Sequence, residues 1–135
     1  MTVFLDTNVL VYAFDGSESA KRAQAVALLE DEALDIVVSA QVLTEFYVTL
    51  TSKLDPRVPE EAAQEAVHGL AQGRVVPVDA ALVEEAIALS RRHRLSLWDA
   101  GIVVAAQRAG CRELLTEDLA NGQAFGSVTV RDPFA

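Results

Sequence analysis

The sequence predicts an α/β fold with a mostly parallel sheet of about five strands and helices on both faces. Short apolar runs alternate along the chain with longer stretches that are rich in alanine or amphipathic. Runs of the first kind are typical of buried parallel strands, and the longer stretches are typical of the helices that connect them. The predicted strands occupy residues 2–5, 36–38, 74–78, 113–116 and 128–130.

Capping residues and prolines mark where the predicted elements begin and end. Ser17 or Ser19 is expected to cap the second helix, and Ser39 to cap the third. Pro77 lies within the third predicted strand, which favours an edge position in the sheet. The predicted helices span residues 9–14, about 17–32, 40–53, 59–71, 80 to the basic cluster at 91–94, and 96–110.

Length and composition indicate one globular domain that covers residues 1–135. Hydrophobic residues make up 51% of the chain, enough for a full core, and no apolar run reaches the roughly 18 residues of a membrane helix. The single cysteine, Cys111, excludes an internal disulfide and a cysteine zinc site, and its apolar surroundings predict a buried thiol. We therefore expect a cytoplasmic protein with no membrane association.

The charge balance is acidic, with 20 Asp and Glu residues against 11 Lys and Arg residues and a net charge of -9. This excludes nucleic-acid binding that relies on a global positive field. The clearest basic cluster, Arg91, Arg92 and Arg94, is the candidate for local contacts with a polyanion.

Four acidic residues stand where the predicted sheet would carry a site. Asp6 directly follows the first strand, and Asp118 follows the 113–116 strand by two residues. Glu45 borders an apolar helical stripe, and Asp99 opens the helix after Ser96. Because ligands bind outside the carboxyl ends of parallel strands, these side chains are candidates for one site.

Each acid also has a purely structural explanation. Asp6 suits a turn aspartate, Glu45 a helix-surface residue, and Asp99 the last residue of a capping box. Asp118 suits the first turn of a short helix capped by Thr116, and Glu117 competes with it for the functional role. If all four converge, their mutual repulsion calls for a hard divalent cation, Mg²⁺ or Mn²⁺.

Four sequence pieces carry a resemblance to a known family. They are FLDTNVLVY at the start, SAQVLTEF with Glu45, LSLWDAGIVVAA with Asp99, and LLTEDLANG with Asp118. In this order and spacing the chain resembles a PIN domain over essentially its whole length. Among PIN domains it is most similar to the short VapC-like toxins of bacterial toxin–antitoxin pairs.

The resemblance implies a Rossmann-like α/β/α sandwich and a metal-dependent endoribonuclease that binds one or two Mg²⁺ or Mn²⁺ ions. It also implies a homodimer that a cognate antitoxin inhibits, with RNA as the substrate. The residues that match the acidic quartet, as catalytic residues and metal ligands, are Asp6, Glu45, Asp99 and Asp118. Asn8 and Thr116 match supporting polar positions, and Thr7 opens the turn beside them.

Two other functions compete with this interpretation. A phosphatase of the haloacid dehalogenase type also begins with a strand that ends in aspartate. That family requires a second aspartate at position 8, where this chain has Asn8, and a late lysine that this chain lacks. The other alternative is a catalytically silent PIN-like module that binds a protein. The complete set of four acids argues against it.

Overall fold

A computed structural model describes all residues, 1–135, as six strands and six helices. In chain order they are β1 (Thr2–Leu5), α1 (Thr7–Tyr12), α2 (Ser19–Glu30), β2 (Asp35–Ser39), α3 (Ala40–Ser52), α4 (Glu60–Ala71), β3 (Arg74–Val76), α5 (Ala80–His93), α6 (Leu97–Arg108), β4 (Glu113–Leu115), β5 (Ala124–Phe125) and β6 (Val128–Arg131). None of the helices combines the length and the apolar character that crossing a membrane requires.

The strands form one sheet in the order β3-β2-β1-β4-β6-β5, flanked by helices. All neighbouring strands run parallel except β5 and β6, which are antiparallel. The predicted mostly parallel α/β fold is thereby confirmed, and the predicted number of about five strands is corrected to six. The sequence missed β5 because it has only two residues, Ala124 and Phe125, within a polar stretch.

β1 is a central strand that pairs in parallel with β2 on one side and with β4 on the other. Its residues Val3, Phe4 and Leu5 are completely buried, and burial on both faces is why the strand is a continuous apolar run. The amide of Asp6 continues the pairing by donating to the carbonyl of Leu115 at 3.0 Å. Asp6 therefore lies at the carboxyl edge of the sheet.

Most predicted helix starts are confirmed. Ser39 caps α3, Asp79 caps α5 and Ser96 caps α6, and each side chain accepts a hydrogen bond from a backbone N–H in the first turn. Pro77 follows β3, which ends at Val76 and is an edge strand as expected.

Two local predictions are wrong. The N-cap of α2 is Glu18, without a capping side chain, because Asp15 binds both the amide and the hydroxyl of Ser17, and Ser19 already lies inside the helix. Thr116 caps no helix. Its hydroxyl accepts from the amide of Asp118 in a non-helical turn.

The caps give a stability prediction. Ser39 is 1% exposed, and its hydroxyl accepts from the amide of Val42 at 3.2 Å. Ser39→Ala should lower the free energy of unfolding by about 1 kcal/mol, as loss of an N-cap does. Ser19→Ala is the matched control, because Ser19 is exposed at the start of α2 and caps nothing. Urea denaturation of both variants tests this, and equal effects would contradict the assignment of the cap.

Candidate active site

A cleft of about 630 Å³ opens at the carboxyl edge of the sheet beside β1. Two of the predicted acids, Glu45 and Asp118, line it directly. Asp6 is buried just behind it, and Asp99 follows Trp98, another lining residue. The complete lining consists of Thr7, Asn8, Val11, Tyr12, Asp15, Thr44, Glu45, Val48, Thr49, Lys53, Trp98 and Asp118.

Asp6 is the most enclosed of the four acids, with 5% exposure. One carboxylate oxygen accepts from the amide of Thr7 at 2.7 Å and so caps α1. The other accepts from the Thr116 hydroxyl at 2.8 Å and from the Asn8 amide at 3.3 Å. The structural explanation, a turn aspartate, is therefore correct for one oxygen, while the second oxygen belongs to the network of the site.

Asn8 joins the two ends of the chain at the site. Its amide nitrogen Nδ2 donates to Oδ2 of Asp118 at 2.9 Å and to Oγ1 of Thr116 at 3.1 Å. With Asp6 as a third acceptor, two amide hydrogens are shared among three oxygens. Its carbonyl Oδ1 accepts from the amide of Glu117 at 3.3 Å. Asn8 therefore holds Asp118 close to Asp6.

Glu45 is held by two donors on different elements. The Thr7 hydroxyl donates to its Oε2 at 2.9 Å, and Gln41 Nε2 donates to its Oε1 at 2.9 Å. Gln41 also donates to the Trp98 carbonyl at 3.0 Å and so connects α3 to the start of α6. A Cβ on Gly101 would come within 2.6 Å of the Gln41 side-chain oxygen, so glycine leaves room for this contact. Gln41 was not among the site residues predicted from the sequence, although its spacing of four residues from Glu45 was a usable signal.

Asp99 lies in the first turn of α6, where its amide donates to the capping Ser96 hydroxyl at 3.0 Å. Burial raises the pKa of its carboxyl group above the usual value, and the negative charges of Asp118 and Glu45 raise it further. The cap and a position near the other acids are thus compatible.

The structure separates Glu117 from Asp118. Glu117 is not a lining residue of the cleft, and it accepts from the Tyr12 hydroxyl at 2.5 Å and from Lys21 Nζ at 3.1 Å. Asp118 lines the cleft and binds Asn8. Of the two candidates that the sequence left open, Asp118 is the one beside the other acids.

The four acids carry a negative charge that no basic side chain neutralises. None of the five salt bridges in the protein involves Asp6, Glu45, Asp99 or Asp118. Burial raises the pKa of Asp6 to about 6, against the lowering effect of the Thr116 and Thr7 hydrogen bonds, and the Asp118 and Glu45 carboxylates add to the increase. A bound cation would relieve both the burial and the repulsion.

The donor set fits a hard divalent cation. All the candidate ligands are carboxylate oxygens, with no cysteine or histidine among them. No three of these side chains already form a compact metal-binding group. Mg²⁺ commonly keeps several waters and takes one or two carboxylates, so its binding does not require a complete protein cage.

The predicted RNA contacts lie elsewhere than the cleft. Arg91 and Arg92 are in the last turn of α5, and Arg94 is its C-cap in a left-handed conformation with φ 56°. None of the three lines the cleft, whose lining contains a single basic residue, Lys53. The functional roles of all these site residues stay predictions.

Comparison with known families matches residues 3–120 to the PIN domain. Because this match spans most of the chain, the protein belongs to the PIN domain family. Its structural neighbours are VapC and FitB toxins, and the predicted resemblance to VapC-like PIN domains is thereby confirmed. A sequence search of curated proteins gives no significant match.

Solved structures with the same fold come from several bacteria. A toxin–antitoxin complex from Klebsiella pneumoniae has 22% identity and a TM-score of 0.71, with 97% of both chains covered. Mycobacterium tuberculosis VapC20, described as a toxin that cleaves the sarcin-ricin loop, has 21% identity and a TM-score of 0.67, with 83% of this chain and 86% of VapC20 covered. Rickettsia felis VapBC2, bound to a promoter DNA fragment, has 17% identity and a TM-score of 0.65, with 97% and 98% covered. At these identities the likeness establishes the shared fold.

The raised pKa of Asp6 gives a pH prediction. The folded state keeps a proton up to about pH 6 that the unfolded state loses near 3.8. Without divalent metal, the wild type should therefore lose stability relative to Asp6→Asn as the pH rises through this interval, by about 3 kcal/mol in total. Urea denaturation at a series of pH values measures the difference.

The control for this experiment is Glu84→Gln, which removes one negative charge from an exposed position on α5. It should not reproduce the pH-dependent difference. A constant difference between wild type and Asp6→Asn across the interval would contradict a buried, unneutralised carboxylate.

Proposed function

We propose that this PIN domain, residues 1–135, is a metal-dependent endoribonuclease that hydrolyses RNA phosphodiester bonds, and that it is the toxin of a toxin–antitoxin pair. The observation that carries the proposal is the gathering of four acids, without a neutralising basic residue, around a cleft at the end of a central strand. RNA cleavage by a protein of the same fold, VapC20, supports it.

In this proposal Asp6 and Asp99 are the first choices as direct metal ligands. Glu45 and Asp118 bind through water or orient the attacking water. One or two Mg²⁺ or Mn²⁺ ions would supply a Lewis acid that lowers the pKa of a water molecule and offsets charge on the phosphoryl oxygens.

The supporting residues fix the acids before substrate arrives. Thr116 and the Thr7 amide hold the two oxygens of Asp6, and the Thr7 hydroxyl and Gln41 hold those of Glu45. Such preorganisation matters because a misplaced carboxylate loses much of its effect on the transition state.

The alternatives receive less support. A haloacid dehalogenase-type phosphatase needs an aspartate at position 8. Here the Asn8 amide donates to both Asp6 and Asp118, and an aspartate would repel them. In a silent binding module, burying the Asp6 carboxylate would lower the stability of the fold without contributing to function.

The partners are proposed from the solved neighbours. Complexes of the same fold contain an antitoxin, as in the Klebsiella pneumoniae complex and in VapBC-1 of nontypeable Haemophilus influenzae. We infer that a cognate antitoxin inhibits this protein and that it acts as a homodimer in the cytoplasm.

The central test is RNA cleavage by purified protein with EDTA, Mg²⁺ or Mn²⁺. Asp118→Asn keeps the shape of the side chain but removes its charge. We expect at least a hundredfold loss of the metal-dependent rate, in the range seen when one transition-state contact is removed. Glu117→Gln is the matched neighbour and should keep most of the rate, since Glu117 does not line the cleft and its carboxylate is held by Tyr12 and Lys21.

Cleavage that persists in EDTA would show a different mechanism or a contaminant. A Glu117→Gln loss as large as that of Asp118→Asn would contradict the assignment of Asp118. If the purified protein cuts no RNA with any metal but binds an antitoxin, the binding-module alternative is correct.

A separate prediction concerns phosphate contacts. Lys53 is the one basic residue that lines the cleft, so Lys53→Gln should weaken RNA binding several-fold and reduce the slope of log affinity against log salt by about one. Arg91→Gln removes the same charge from the last turn of α5, outside the cleft. Binding titrations over a range of salt compare the two. A larger effect of Arg91→Gln would restore the arginine cluster as the phosphate-binding surface.

A further inference from the structure

Trp98 is the most exposed large hydrophobic side chain of the protein, with 68% exposure. It is the second residue of α6, directly before Asp99, and it lines the cleft. The aromatic pairs and cation–π contacts of the fold involve other rings, so neither an aromatic ring nor a basic side chain stacks on the indole. An indole of this exposure beside an acidic centre is a free stacking surface.

The backbone around Trp98 is fixed although its ring is free. Gln41 donates to the Trp98 carbonyl at 3.0 Å and to Glu45 Oε1 at 2.9 Å, so one amide positions both residues. The Ser96 hydroxyl caps the same turn through the amide of Asp99. The backbone from which the ring projects is therefore held at a defined place relative to Glu45 and Asp99.

The chemical character of the cleft lining changes along the length of α3. Trp98 lies beside Gln41, at the N-terminal end of the helix, and Glu45 comes one turn later. Lys53, the C-cap of α3, lines the same cleft eight residues beyond Glu45, about 12 Å along the helix axis. An aromatic surface, an acidic centre and a cation therefore follow one another in a line.

The negative charge of the protein limits which part of an RNA ligand can bind strongly along this row of Trp98, Glu45 and Lys53. With a net charge of -9 and one cation in the cleft, long-range attraction for phosphates is weak. Stacking of a base on an aromatic ring does not depend on that field, and it accepts every base. It does require an unpaired base, because in a duplex both faces of each base are covered.

We propose that Trp98 is the platform of a nucleobase subsite, on which an unpaired base next to the scissile phosphate stacks. The stacked base supplies affinity that the acidic surface does not. This inference rests on the proposed ribonuclease function, and it assigns to Trp98 the contact with a base of the substrate.

Because Trp98 is the single tryptophan, intrinsic fluorescence reports on it alone. The titration uses Asp118→Asn protein with Mg²⁺ and three probes: a short single-stranded RNA of mixed sequence, the same RNA annealed to its complement, and an abasic RNA of equal length. Only the first should quench the fluorescence strongly. Equal quenching by the abasic RNA, or none by the single strand, would overturn the proposal.

Kinetics on otherwise wild-type protein complete the test. Trp98→Ala should raise KM for the single-stranded RNA on the order of tenfold with little change in kcat, as loss of one stacked base does. Trp98→Phe should recover most of this loss. Leu97→Ala is the matched control, because Leu97 is exposed beside Trp98 in the same helical turn but does not line the cleft.

The outcomes separate this inference from the proposed function. Metal-dependent cleavage with an unchanged KM in Trp98→Ala would overturn the subsite and leave the nuclease intact. Selective quenching without cleavage under any metal would support the subsite and overturn the nuclease. If Trp98→Ala weakens only the binding of an antitoxin, the ring is a protein contact and the inference is wrong.

Discussion

The rest of the site depends on one buried carboxylate at the end of a central strand. β1 is apolar because both its faces are covered, and Asp6 is the first residue after it that can bear a charge. Its burial is tolerable because each oxygen accepts a strong donor, from Thr7 on one side and Thr116 on the other. Those two donors belong to α1 and to the turn after β4, so the Asp6 carboxylate also fixes the position of these two segments relative to each other.

From Asp6 outward, the neighbouring acids are held by uncharged polar side chains instead of basic ones. Asn8 donates a hydrogen bond to Asp118, and Gln41 and the Thr7 hydroxyl donate to Glu45. An arginine or lysine in these places would neutralise the carboxylates and compete with a metal ion. Amide and hydroxyl groups fix the positions of the carboxylates and leave their negative charge available to a cation.

The sequence predicted the parallel sheet and the four acids because both follow from local rules. Apolar runs identify strands, and the ends of parallel strands meet at one edge. It did not predict β5, because a two-residue strand has no periodicity. It also did not predict that α2 starts without a capping side chain, because Asp15 binds the Ser17 hydroxyl. Spacing alone did not separate Asp118 from Glu117, because that choice depends on contacts between residues far apart in the chain. Gln41 was missed although it lies four residues before Glu45, because its second contact, with Trp98, is 57 residues away.

That last kind of contact has a consequence for synthesis of the protein. Asn8 and Asp118, which share a hydrogen bond at the site, are 110 residues apart, and β1 pairs with β4 from the last quarter of the chain. A growing chain that leaves the ribosome N-terminus first holds no complete set of the four acids until Asp118 is made. The arrangement therefore delays the acidic centre, because no nascent fragment that ends before Asp118 carries it.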